Sequence, residues 1–350
     1  MKKKTPGKVG IKDVSQEAGV ALSTVSHVLN GTAPISAEVR ARVLDAARRL
    51  GYLAKRQQKG AIASLSTLYL AVPNGNLPHV NTNLFSWTML SALTRECERR
   101  AIKLVPHASE GDLSAPEIIA GAQTCGADGI ILVHDHTPRL IKGLAASGIA
   151  TVLLNGDDPS MSIDTVVPSN RYGARLAAEW LLSRGHQCIL HLTWRGRSTI
   201  RRRLDGVRDA LLARDLSPDA CEVLYADGYE PGHGEAALSR YIAARGGLGG
   251  NTAIFCAADN LAIGALNALR AAGISVPGEV SVIGFDGVTI GELTTPPLAT
   301  VRVPLDHLAA AAVQTLENRL AVHAPDFPPV RIELACQLII RESAKEASSI

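Results

Sequence analysis

Leu22, Ser23, Thr24, Ser26, His27 and Asn30 sit in the stretch GIKDVSQEAGVALSTVSHVLNG (residues 10–31), and they are the residue types that meet base edges and phosphates in a major groove. They fall on one face of a helical period whose other face carries Val25, Val28 and Leu29. Ile11, Val14 and Ala18 define a helix before it, and Gly19 supplies the left-handed residue that a tight turn between the two needs. A third helix starts at Ser36 as N-cap with Glu38 in its first turn, runs through Val39, Val43, Ala46 and Leu50, and stops at Gly51. Two short helices joined by a turn, with the second facing outward, form an arrangement that reads DNA.

The charge distribution agrees with that division. Residues 1–60 hold twelve Lys or Arg against four Asp or Glu, a net of +8, whereas the whole chain is +3 and the remainder therefore −5. A basic small module on a mildly acidic large one suits a phosphate-binding head on a body that does not cling to DNA. On its own, the run Lys2 to Lys4 is equally a solvated tail.

A second set of polar residues lies where strands end. From residue 67 short β-rich runs (67–72, 103–106, 129–133, 151–154, 187–192, 222–225, 253–256 and 280–285) alternate with amphipathic helical segments such as 85–100, 172–183, 201–213 and 261–271. That pattern predicts parallel sheet with helices on both faces, in which ligands sit beyond the carboxyl ends of strands. Asn155, Asp259 and Asp286 follow such ends and are suited to hydrogen-bonding sugar-like hydroxyls; Asp259 is equally a helix cap. Phe85 or Trp194 offers an aromatic platform for a sugar face or a base, and Trp87 reads as core or dimer surface. Arg195, Arg197, Arg201, Arg202 and Arg203 either select a phosphorylated or carboxylated effector or form a solvated helix start. His134 and His136 flank Asp135, which reads as a metal site or, more simply, as a surface loop.

Other classes of protein fit less well. No apolar run reaches the ~18 residues of a membrane span, and the Lys-rich start precedes a polar helix and no signal-peptide core, so a cytoplasmic protein is expected. Six scattered cysteines (97, 125, 188, 221, 256, 336) have no C-x-x-C pair and read as reduced core thiols, so neither a metal, a cofactor nor a disulfide is implied. There is no G-x-S-x-G elbow, no P-loop and no G-x-G-x-x-G opening a helix, which argues against an enzyme. The alternative is a solute-binding or sugar-processing α/β protein without regulatory DNA binding.

The motifs I-K-D-V (11–14), A-G-V (18–20), S-T-V-S (23–26) and V-L-N-G (28–31) resemble the headpiece of the LacI/GalR family of bacterial transcription regulators. The resemblance continues through H-L-T (191–193), R-x-x-G (203–206), A-A-D-N-x-A-I-G-A (257–265), V-P-x-E-V-S-V-I-G-F-D-G (276–287), P-P-L-A-T-V (296–301) and L-I-I-R-E-S (338–343). It implies an α/β fold: a small all-α helix-turn-helix headpiece at 1–51, a hinge at 52–66, and a two-lobed, doubly wound, periplasmic-binding-protein-like core at 67–343. The lobes would be 67–164 with 291–325 and 165–290 with 326–343, with crossings near 164, 290 and 325. Arg203 and Asp286 fall where the family has ligand-contacting residues, with a structural ion pair as the other reading. The implied function is ligand-responsive repression by a homodimer. Its partners would be a pseudo-palindromic double-stranded operator with half-sites about one helical turn apart, and a small sugar or acidic sugar derivative bound between the lobes.

Departures from the family pattern fall at chemically important places. Ala21 stands where a Ser usually caps the reading helix, and His27 where Arg is usual, so a weaker cap and an altered base preference are expected. Asn155 and Ala258 replace Asp and Asn of sugar-binding relatives. In the hinge only Tyr52 matches; Lys55, Arg56 and Lys59 keep phosphate contacts, while Ala61 holds the position of a Leu that wedges into the minor groove. With Gly60 beside it, this hinge is expected to order less readily and to bend DNA less.

Overall fold

The computed structural model describes residues 10–30, 35–50, 52, 65–73, 84–109, 112–321 and 327–345; Lys55, Arg56, Lys59 and Ala61 of the hinge lie outside them. The first three helices are α1 (Ile11–Ala18), α2 (Leu22–Asn30) and α3 (Ala37–Arg49). Their termini follow from single residues. The Asp13 carboxylate accepts from the Gly10 N–H at 2.7 Å, Gly19 closes α1 at φ 64°, and the Ser36 hydroxyl accepts from the Val39 N–H at 3.4 Å. Val14, Ala18, Val25, Val28, Leu29, Val43, Ala46 and Ala47 bury one small core between them. Ala21 precedes α2 and holds it only by its carbonyl, which accepts from the Val25 N–H at 3.1 Å.

The rest of the described chain builds two six-stranded sheets. The first contains β1 (Thr67–Pro73), β2 (Lys103–Ser109), β3 (Gly129–Val133), β4 (Ala150–Leu154), β5 (Asp164–Pro168) and β11 (Arg331–Leu334) in the order β11-β5-β4-β3-β1-β2. The second contains β6 (Ile189–Thr193), β7 (Cys221–Tyr225), β8 (Ala253–Cys256), β9 (Ser281–Asp286), β10 (Ala299–Arg302) and β12 (Gln337–Ile339) in the order β12-β10-β9-β8-β6-β7. All neighbours are parallel except β10 and β12. Parallel strands covered on both faces need continuous apolar runs, and GIILV in β3 and AIFC in β8 are buried throughout.

Strand order reverses between β1 and β3 in one sheet and between β6 and β8 in the other, which opens a crevice at the carboxyl ends of both. Helices α4 (Leu84–Arg99), α5 (Ala115–Thr124), α6 (Pro138–Ala146) and α11 (Leu305–Ala321) accompany the first sheet. The second carries α7 (Asn170–Ser183), α8 (Ser198–Leu212), α9 (Pro231–Arg245) and α10 (Asp259–Ala271). The packing of α7 on α8 depends on Gly206, where a Cβ would overlap the Arg171 carbonyl.

The chain crosses between the sheets after Pro168, after Arg302 and after Leu334, and these places differ from the expected 164, 290 and 325. Register sets them: Asp164 pairs with Val152 of the first sheet, and Ala299 pairs with Ile283 of the second. The prolines at 296 and 297 hide β10 as a strand in the sequence, although its first three residues are buried. All six thiols are free; Cys97, Cys221, Cys256 and Cys336 are buried, whereas Cys188 is exposed and is no core thiol. Among the described residues no helix is long and apolar enough to cross a membrane.

Candidate ligand cleft and DNA-reading face

On α2 the buried side holds Val25, Val28 and Leu29, which leaves Leu22 and Ser23 exposed and Thr24, Ser26 and His27 half-buried. Asn30 is the last residue of the helix. An amphipathic period with so narrow an apolar stripe turns the opposite residues outward together.

Between the two sheets a cleft is lined by Phe85, Asn155, Trp194, Arg197, Thr199, Ile200, Arg203, Tyr229, Ala258, Asn260, Asp286 and Val288. It is narrow, with about 500 Å³ of atom-free space, mouth included. Five of the six expected effector residues meet here. Asp259 does not. It is fully buried beneath the cleft, accepting from the Gly287 N–H at 2.8 Å, the Val288 N–H at 2.9 Å and the Thr300 hydroxyl at 2.6 Å. Its job is to hold the loop after β9, and Gly284 makes room for it, since a Cβ there would land on its Oδ1.

Arg203, one turn into α8, is 3 % exposed. Its Nε donates to Asn170 Oδ1 at 2.9 Å, its Nη1 donates to the Ala257 carbonyl and to Asp286 Oδ1 at 3.3 Å, and its guanidinium lies 3.6 Å from the Phe285 ring centre. Of the two readings of this pair the structural one is visible: Arg203 and Asp286 bond each other, and both stand in the wall of the cleft. Burial pushes the Asp286 carboxyl up and the Arg203 charge pulls it back; burial together with the Asp286 charge pushes Asp259 up.

The aromatic wall is Trp194 with Tyr229, their ring centres 5.9 Å apart and tilted by 46°. The indole folds over Gly196, where a Cβ would stand 2.6 Å from Nε1. Tyr229, Thr199, Ile200, Asn260 and Val288 were not expected among the effector residues, yet each follows or opens an element at a strand's carboxyl end, so the same positional rule reaches them; Arg197, expected only as one of the arginine cluster, lines the cleft with them. Trp87, half exposed on α4, is not part of the core.

The triad His134, Asp135 and His136 is no surface loop. His134 is 2 % exposed, and its ring meets Ser86 Oγ at 2.9 Å, Asn155 Nδ2 at 3.2 Å and Arg197 Nη1 at 3.1 Å. Asp135 accepts from the Asp157 N–H at 2.8 Å and, across the cleft, from the Ser198 N–H at 2.5 Å and hydroxyl at 2.8 Å. His136 Nε2 donates to the Val133 carbonyl at 2.8 Å. Among the described residues no group of three His, Cys, Asp or Glu side chains is placed to hold a metal. Of the arginine cluster, Arg197 and Arg203 enter the cleft, Arg202 stands 3.6 Å from Asp157 of the other lobe, and Arg195 lies 3.9 Å over the Tyr225 ring. Arg331, which precedes the last crossing, donates to the same Asp157 at 2.5 Å. The lobes are thus bridged beside the cleft by the Asp135–Ser198 hydrogen bonds, the His134–Arg197 contact and the Arg202–Asp157 ion pair.

A three-helix head with an exposed reading helix, joined to two doubly wound lobes around a polar and aromatic cleft, defines a DNA-binding protein with a periplasmic-binding-protein-like body. Residues 10–54 match the family described as bacterial regulatory proteins, lacI family, and residues 178–344 match a periplasmic binding protein-like domain. The transcriptional regulator MalR of Streptomyces coelicolor is 30% identical over 353 residues, covering 96% of this chain and 97% of the relative. The ribose operon repressor of Escherichia coli is 29% identical, covering 95% and 99%. Among solved structures, the transcriptional regulator CelR in complex with cellobiose superposes with a TM-score of 0.68 at 25% identity, covering 96% of this chain and 100% of that one. The Lac repressor bound to ONPG shares the fold at a TM-score of 0.69, covering 97% and 100%. The chain belongs to the lacI family of bacterial regulatory proteins.

Proposed function

We propose that this regulator represses transcription by binding a pseudo-palindromic operator as a homodimer, and that a small sugar, or an acidic or phosphorylated sugar derivative, binds between the lobes and changes operator affinity. The observation that carries the reading is the cleft itself, where Phe85, Trp194 and Tyr229 provide aromatic faces and Asn155, Arg203 and Asp286 provide donors and acceptors at one gap between two hinged lobes. The relatives support the chemistry, since cellobiose and ribose are bound in two of the similar solved structures.

Leu22, Ser23, Thr24, Ser26, His27 and Asn30 read bases or phosphates, and Lys55, Arg56, Lys59 and Ala61 contact DNA through the hinge. Phe85, Asn155, Trp194, Arg203 and Asp286 contact the effector, while Asp259 supports them from below. The protein works in the cytoplasm as a regulator and turns over no substrate. Effector contacts made to both lobes favour one lobe arrangement over another, and that preference is transmitted to the heads with a coupling of typically 1 to 3 kcal/mol. A thermal-shift screen over neutral and acidic carbohydrates, followed by footprinting with and without each hit, tests the reading. A stabilising sugar that alters protection of a symmetric site supports it, and steady turnover of that sugar contradicts it.

A further inference from the structure

Two buried residues at neighbouring strand ends meet beside the cleft. His134 follows β3 and Asn155 follows β4, both with left-handed backbone at φ 72° and 56°. The His134 Nδ1 faces two nitrogen groups, Asn155 Nδ2 at 3.2 Å and Arg197 Nη1 at 3.1 Å, and its Nε2 faces Ser86 Oγ at 2.9 Å. A guanidinium has only donors and keeps its protons. The ring nitrogen opposite Arg197 is therefore the bare, accepting one, and the ring proton sits on Nε2, where it is donated to Ser86. A bare Nδ1 repels a carbonyl oxygen, so Asn155 presents its NH2 to the ring and turns Oδ1 the other way. That oxygen is buried, has no hydrogen-bond partner among the described residues, and belongs to a residue that lines the cleft.

We infer that His134 is a positioning residue: clamped by Arg197 and Ser86 as the Nε2-protonated ring, it fixes the Asn155 amide with its oxygen toward the cleft, which demands a hydroxyl or N–H donor on the effector there. The inference rests on the cleft being the effector site. Burial and the Arg197 charge hold the imidazole well below its ordinary range, which keeps the ring neutral. A fixed amide oxygen accepts as one carboxylate oxygen would, without carrying its charge. An effector with an ether or a deoxy carbon at this point leaves the oxygen buried and unpaired, and binding falls on the order of tenfold or more.

Long-range proton–nitrogen spectra of the full-length protein labelled with 15N-histidine read the tautomer directly, with His134 assigned by its loss in His134→Gln. The expected result between pH 8 and 6 is a neutral ring protonated at Nε2. In Asn155→Asp the carboxylate can only accept, so Nδ1 gains a proton and the ring titrates at higher pH than in the wild type. A ring protonated at Nδ1 in the wild type, or one whose tautomer is unmoved by Asn155→Asp, overturns the inference. With cellobiose and D-ribose as probes, His134→Leu weakens binding of whichever sugar binds and the added Asn155→Asp restores it, a rescue that a purely structural role of His134 would not give. Failure of both sugars to bind counts against the effector reading and leaves the tautomer to decide this inference by itself.

Discussion

Replacing Arg203 by Met removes the cation from a buried pair and keeps most of the stem. Arg203 is 3 % exposed and bonds Asn170, the Ala257 carbonyl and Asp286, which is itself 8 % exposed. Deleting one partner of such a pair leaves an uncompensated buried charge, at a cost of about 3–5 kcal/mol. The deficit depends on pH in a direction that can be worked out. Burial raises the Asp286 carboxyl above its unfolded value, and the Arg203 charge and hydrogen bond are what pull it down. Without them the native-state value climbs further, so the native protein binds this proton more tightly than the unfolded chain does. Stability contributed by that proton is fully present below the unfolded value of 3.8 and is lost as pH rises through the native one. Acidification therefore narrows the gap between variant and wild type, by about 1.4 kcal/mol for each unit that Asp286 rises. Asp259 lies beneath and titrates together with Asp286, so the pair is what responds. Urea unfolding followed by tryptophan fluorescence at pH 8 and pH 5.5 measures both quantities. A deficit below about 1 kcal/mol, or one equal at the two pH values, would refute the buried-pair reasoning.

Three further outcomes follow from single contacts. Gly284→Ala puts a Cβ on the Asp259 carboxylate and is expected to destabilise by about 1–3 kcal/mol in chemical unfolding, whereas a neutral change would mean that the loop after β9 is not held by Asp259. Asp135→Ala removes the acceptor for the Ser198 N–H and hydroxyl across the cleft, so small-angle scattering should report a larger mean lobe separation and sugar binding should weaken; an unchanged profile speaks against an interlobe latch. Ala21→Ser gives α2 a side-chain cap that its carbonyl alone does not supply, and raises headpiece stability by about 0.5–2 kcal/mol in hydrogen exchange, with no gain counting against the capping argument.

How much of this was legible in the sequence varies with the continuity of the apolar signal. The three helices of the head were readable because Gly19 and Ser36 mark their ends and the apolar period between is unbroken. The strands β1, β3, β8 and β9 were readable because buried parallel strands are continuous apolar runs. β5, β10, β11 and β12 were not: DTVVP, ATVR, RIEL and QLI are interrupted by polar, charged or proline residues, and their sheet is chosen by tertiary pairing. That is why the crossings were misplaced. Asn155 and Asp286, at the ends of strands, line the cleft, whereas Asp259 lies beneath it, because its chemistry suits three backbone and hydroxyl donors as well as it suits a ligand. The loop at His134–His136 looked polar and therefore solvent-facing, but Ser86 and Asn155 of its own lobe and Arg197 and Ser198 of the second cover it, burying His134 and half-burying Asp135 and His136.

Operator affinity, measured by fluorescence anisotropy on full-length protein with and without a carbohydrate that stabilises it, tests the central claim most directly. The operator would be a symmetric site selected from random DNA. The account predicts sequence-selective binding whose affinity changes by about 5- to 150-fold when the sugar is added. Binding that ignores sequence, or a sugar that occupies the cleft and leaves operator affinity unchanged, would contradict it.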